Sequence, residues 1–91
     1  MQRTKLIETE VGLGTDLAGG ITVSNATVVR VYNGSGDVAT VSVAKSTTDG
    51  YTGISTVSLP AAQVEFFEKM GADLIWASAN TVKAAKVGFT N

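Results

Sequence analysis

The chain has 91 residues, 44% apolar and 16% charged, with a formal net charge of −1 and neither cysteine nor histidine. That length accommodates one domain, and its charge is too sparse and its β-branched content too high for a disordered chain. Seven scattered basic residues leave no electrostatic footprint for nucleic acid. Without thiols or imidazoles, disulfides, the corresponding metal sites and His-dependent triads are all excluded.

Acidic residues appear by Glu8, too early for the apolar core of a signal peptide. No apolar run approaches the ~20 residues that span a bilayer. The expectation is a product made in a cytoplasm, with no leader and no membrane segment. Residues 5–11 read as a first extended piece. Residues 12–20 contain Gly12, Gly14, Gly19 and Gly20 and read as a mobile link. The predicted organisation is therefore an N-terminal arm and link over residues 1–20, followed by a β-sandwich domain over residues 21–91.

Strands are predicted at 21–24 and 27–32, where Val and Thr favour the pleated backbone. Asn33-Gly34 offers the positive φ of a tight reversal, so residues 27–45 read as a hairpin. Within it, Ala39, Val41 and Val43 share one face, and Thr40 and Ser42 the other. Residues 46–53 are polar and read as a loop. Residues 54–59 alternate again and stop at Pro60, which cannot donate to a ladder. Segments 63–69, 73–79 and 82–89 complete the set. Residues 61–63 and 65–70 also allow a short helix, but Phe66 and Phe67 favour strand. Short strands separated by Gly and Asn/Asp turns predict an all-β fold: a small antiparallel β-sandwich, Ig-like or a related barrel. A domain this small without covalent staples often gains stability by homo-oligomerisation.

No set of residues calls for chemistry. Glu8 and Glu10 share a strand face as paired carboxylates do in glycoside hydrolysis, but a solvated face explains them as well. Leu17 stands where a dinucleotide loop needs its third glycine, and no lysine completes a Walker pattern. Asp16, Asp37 and Asp49 lack the spacing of a calcium loop and suit turns. Asn25 and Asn33 head glycosylation triplets without a leader to use them. Tyr32, Tyr51 and Trp76 have no interleaved basic residues with which to bind a nucleic-acid strand. No catalytic, cofactor-binding or metal-binding residue is assigned.

Packing is more informative. Neighbouring strand residues point to opposite faces, yet Leu6-Ile7, Val28-Val29, Phe66-Phe67 and Leu74-Ile75-Trp76 are adjacent apolar residues. Either bulges and loop cover absorb them, or a second apolar surface meets another subunit. The second reading makes Leu6, Ile7, Phe67, Ile75 and Trp76 candidate subunit contacts. Val64 and Phe66 form the more apolar face of their strand, which assigns Phe66 to the core. Phe67, with Glu65 and Lys69, then falls at the rim of a contact.

Residues 58–78 contain a Leu59-Pro60 step, a Val64-Glu65-Phe66-Phe67-Glu68-Lys69 strand and Asp73-Leu74-Ile75-Trp76-Ala77. The chain ends Val87-Gly88-Phe89-Thr90-Asn91, and Val31-Tyr32-Asn33 precedes a glycine turn. Together, over about half the chain, these pieces resemble small virion proteins of tailed bacteriophages, the cyanophage type nearest. The resemblance implies a multi-copy structural protein of the particle, assembled in the host cytoplasm. Its partners would be itself and other virion proteins, the major capsid protein first. It implies capsid decoration, or alternatively a ring in the neck, tail or baseplate, and it carries over no catalytic residues. A carbohydrate-binding module, using Tyr51 or Trp76, is a further alternative from another class.

Overall fold

The structure is a computed structural model that describes residues 3–90. Met1 and Gln2, the tip of the predicted arm, and Asn91, the end of the terminal motif, lie outside the described residues. The strands are β1 (Arg3–Leu6), β2 (Val11–Gly12), β3 (Val28–Asn33), β4 (Ala39–Thr47), β5 (Gly50–Leu59), β6 (Val64–Glu68), β7 (Leu74–Ala77) and β8 (Val82–Thr90). One sheet runs β1-β8-β3-β6, with β2 also pairing with β8; the other runs β5-β4-β7. Every pairing is antiparallel. The chain is all-β with two antiparallel sheets, as its alternating Val- and Thr-rich segments predict.

The core follows from period-two alternation. Val29 and Val31 of β3 and Val82 and Ala84 of β8 face Ala39 and Val41 of β4 and Ile75 and Ala77 of β7. Each buried Val or Ile contributes about 1.5–3 kcal/mol of transfer free energy. These side chains, with Leu13, Val23 and Ala26 from the segment before β3, hold the sheets together.

The structure corrects three local expectations. First, β3 and β4 do not form a hairpin, because they lie in different sheets. Both strands carry a valine row that must enter the same core. Folding one strand over the other buries both rows, whereas a ladder would set them side by side. Residues 33–37 make that corner without any positive φ, and the Asn33 side chain holds it. Its Nδ2 donates to the carbonyls of Asp37 and Leu59, each at 2.8 Å, and its Oδ1 accepts from the Ser35 amide and hydroxyl. The in-sheet hairpin is β4–β5 instead, closed where Thr47 pairs with Gly50. The predicted polar loop at 46–53 is mostly strand.

Second, residues 21–24 are not a strand. Ile21 makes an isolated bridge to Ile75, and then Val23, Ser24 and Asn25 take left-handed backbone at φ 54, 54 and 57°. Third, the glycine-rich stretch is built against the body and is not a free link. Leu13 is buried in the core and its amide donates to Val82 at 2.9 Å. Asp16 caps a single 3-10 turn, Leu17–Gly19, through its Oδ1 and the Gly19 amide. A Cβ at Gly14 would collide with the Gly19 backbone, so this fold-back needs glycine there. Residues 5–11 are also interrupted, pairing with β8 only as β1 and β2.

Candidate interaction surface

The outward face of the larger sheet is built by the residues that alternate with its core row. On β3 these are Val28, Arg30 and Tyr32, because Val29 and Val31 are wholly buried. Register places Phe66 opposite Arg30 and Val64 opposite Tyr32. It also places Ala85 opposite Arg30, and Leu6 opposite Val87. Phe66 and Phe89 meet edge to face, with centroids 5.4 Å apart at 61°. An apolar band on this face draws on four strands: Leu6, Phe89, Phe66 and Val64 are exposed, Val28 is half-buried and Val87 is buried. Leu6 is 72%, Phe89 41% and Phe66 38% exposed. Charged groups interrupt the band: Arg30, opposite Phe66 and Ala85, pairs with Glu10 at 3.3 Å, and Glu68 stands opposite Val28. Glu10, one of the two carboxylates that could have been paired for catalysis, is held there by a cation.

This geometry reverses the assignment of the two phenylalanines. Phe67, paired with core residue Val29, turns inward and packs against the core. Phe66 lies on the outer face. The more apolar face of β6 is the outward one, and the face carrying Glu65, Phe67 and Lys69 is the inward one. Burying Lys69 is possible because its Nζ donates to the carbonyls of Met70 and Gly71 at 3.3 and 3.2 Å. Burial holds its pKa below the ordinary lysine value, and the nearby Asp73 carboxylate opposes that shift. Asp73 in turn accepts the amides of Ser46 and Met70 at 2.9 and 3.1 Å. Backbone partners satisfy both charges, a signal that side-chain composition does not carry.

The other candidate contacts divide. Ile75 is wholly buried in the core. Trp76 sits on the opposite face of β7 and is only 9% exposed, so the chain itself already covers it. Neither is available to a partner. Leu6 and Ile7 are exposed. Of the five candidates, these two are exposed and Phe67 is half-buried beside the core, while the sequence reading missed Phe66 and Phe89.

No family model, curated protein or solved structure matches the chain.

A second surface lies at the side of the sandwich where β5 and β6 end their sheets. There a cleft of about 370 Å³ is lined by Val43, Val57 and Phe67 on its apolar side and by Lys69 and Asp73 at its polar end. Among the described residues no cluster of acidic side chains is placed to hold a metal ion, and no helix is long and apolar enough to cross a membrane. The geometry suits contact with other protein surfaces: apolar area, interspersed charge and open strand edges.

Proposed function

We propose that this chain is a structural subunit of a tailed-phage particle, a capsid decoration or cement protein present in many copies. The observation that carries the reading is the apolar band across the outer face of the larger sheet. Leu6, Val64, Phe66 and Phe89 leave exposed apolar surface on three strands of this face, and such surface marks a protein contact more often than it serves a free monomer. The virion-protein resemblance of the last third of the chain supports the same reading, since β6 and β8 supply part of that resemblance and much of the band.

The test is whether the chain is found in the particle and by which face. Mass spectrometry of particles purified from the source that encodes the chain should recover it in many copies. Added wild-type protein should co-sediment with particles stripped of it, and Phe66→Glu should not, while keeping its fold. Absence from the particle, or unchanged co-sedimentation of Phe66→Glu, overturns the proposal.

A further inference from the structure

The corner at residues 33–37 carries the chain from one sheet to the other, and it begins with an asparagine followed by a glycine. We propose that Asn33 is a deamidation site gated by folding. The native corner blocks the reaction, an opened corner permits it, and the product cannot rebuild the corner.

An Asn-Gly pair deamidates when the glycine amide nitrogen attacks the asparagine Cγ. The new N–Cγ bond closes a succinimide ring and the Cγ–Nδ2 bond breaks. Nδ2 leaves as ammonia, and the proton it gains balances the one the amide gives up to solvent. Water then opens the ring to aspartate or isoaspartate. Glycine is the most permissive neighbour, because it has no side chain to shield its nitrogen or restrict its backbone. This fold needs both residues. The Asn33 side chain makes the four hydrogen bonds that hold the corner. A Cβ at Gly34 would lie 2.8 Å from the Thr81 carbonyl oxygen. Packing therefore places a chemically labile dipeptide at the joint between the sheets.

The native corner opposes the attack twice over. Asn33 is wholly buried. Its Nδ2 is held by the carbonyls of Asp37 and Leu59, and its Oδ1 by the Ser35 amide and hydroxyl. Swinging Cγ towards the Gly34 nitrogen breaks all four bonds. Turning the backbone instead breaks others: the Asn33 amide donates to Gln63, its carbonyl accepts from Ala62, and the Gly34 amide donates to Thr81 at 3.2 Å. The product fails for the complementary reason. An ionised aspartate has only acceptors, so a buried carboxylate would face the carbonyls of Asp37 and Leu59 with no donor between them. Isoaspartate adds a main-chain carbon at the end of β3. Each reaction removes a chain from the folded pool irreversibly.

Cleavage after lysine and arginine places Asn25, Asn33 and Asn80 in separate peptides, residues 6–30, 31–45 and 70–83, so one digest reads all three by mass. The full chain is incubated at mildly alkaline pH with and without urea, then quenched in acid. In urea Asn33 should deamidate fastest of the three. In the native protein it should fall behind the exposed Asn80, at a rate about a hundredfold or more below its own rate in urea. Ser35→Ala removes the hydroxyl that bonds Oδ1 and the Asp37 carbonyl. It should raise the native Asn33 rate severalfold and leave the rate in urea unchanged. Asn33→Asp, which encodes one product directly, should unfold at a lower urea concentration than wild type or fail to fold. Three results overturn the gate: a native Asn33 rate close to that in urea, a native rate that Ser35→Ala leaves unchanged or lowers, and an Asn33→Asp chain as stable as wild type. A lowered rate in Ser35→Ala would mean that the hydroxyl activates the amide where the gate requires it to restrain it.

Discussion

Along the edge of β7 the connector of residues 13–26 runs against the sandwich and places Leu13, Val23 and Ala26 in the core. It fills hydrogen bonds of the edge strand on the way, from the Ala77 amide to Gly14 and between Ile21 and Ile75. At the opposite side β5 and β6 close their sheets with no such segment among the described residues, and Val57 and Phe67 line an open cleft. One side is finished by the chain's own backbone at the cost of unusual conformations, namely three consecutive left-handed residues and a glycine fold-back. The other leaves its cleft open, with unusual backbone confined to a bulge at Gly53 (φ 61°), the turn glycine Gly50 (φ 126°) and a single left-handed residue, Ala62 (φ 60°), ahead of β6. Two sheets of unequal width force this choice, and a domain with one short connector to spare can cover only one side.

The comparison breaks first at Leu13. If residues 13–26 form part of the core, Leu13→Ala removes a buried side chain that the surroundings cannot replace. It should cost about 2–5 kcal/mol in a denaturant melt, a large share of the stability of a small domain. Val57→Ala on the open side, where the side chain is already half in solvent, should cost well under 1 kcal/mol by the same mechanism. Equal losses would mean that the two sides are not finished differently.

The next largest effect separates Phe67 from Phe66. Phe67→Ala should cost about 2 kcal/mol, less than a fully buried phenylalanine because its ring borders the cleft. Phe66→Ala should cost under 1 kcal/mol, since its ring loses mainly an exposed edge-to-face contact with Phe89. Paired melts of the two variants measure the order, and a larger loss at Phe66 would reverse the orientation of β6.

These two residues also show what the sequence could disclose. Strand positions were legible because alternation and turn residues are local, and β6, β7 and β8 fall close to their predicted bounds. Which face of β6 turns inward was not legible. Apolar content favours the Val64-Phe66 face, and Lys69 on the other face looks solvated until the carbonyls of Met70 and Gly71 are seen to receive it. The β3–β4 hairpin failed for a related reason. Asn33-Gly34 is a good turn, but whether the chain reverses within a sheet or crosses to the next depends on where both valine rows must go. Of the interaction surface, Leu6 was visible as one member of an adjacent apolar pair with Ile7. Phe89 was not, because its partner Phe66 is distant in sequence.

A smaller effect lies at the polar end of the open cleft. Burial lowers the pKa of Lys69 from its ordinary value of 10.5. Between the lowered folded value and the unfolded one, the unfolded chain binds more protons, so this group's contribution to stability rises with pH in that window. Below the window both states are protonated and the contribution is flat. Lys69→Met keeps an unbranched stem and removes the titration. The gap in urea midpoint between wild type and Lys69→Met should therefore move in favour of wild type as pH climbs from neutrality towards 10.5. A constant gap would mean that the ammonium is not desolvated, and that this end of the cleft is open to water.

The smallest expected effect tests the cost of closing the other side. Val23, Ser24 and Asn25 hold left-handed backbone, which for an L-residue other than glycine or asparagine costs roughly 1–2 kcal/mol. The Ala26 amide reaches back to the carbonyls of Thr22 and Val23 at 3.2 and 3.1 Å, and the Asn25 amide to Thr22 Oγ1 at 3.1 Å, so the turn is locked by its own bonds. Ser24 is exposed, and Ser24→Gly relieves its strain at the cost of a more flexible unfolded chain. The net gain should be about 0.5 kcal/mol. Asn25→Gly should be near neutral, because asparagine already tolerates this region. Val23→Gly should go the other way: its side chain is in the core, and losing that burial, about 1.5–3 kcal/mol, outweighs the strain released. A gain, no change and a loss at three adjacent positions, read from melting midpoints, is the pattern of a turn kept strained to place one side chain. Three losses would mean that the turn is relaxed and that the closed side is covered at no conformational cost.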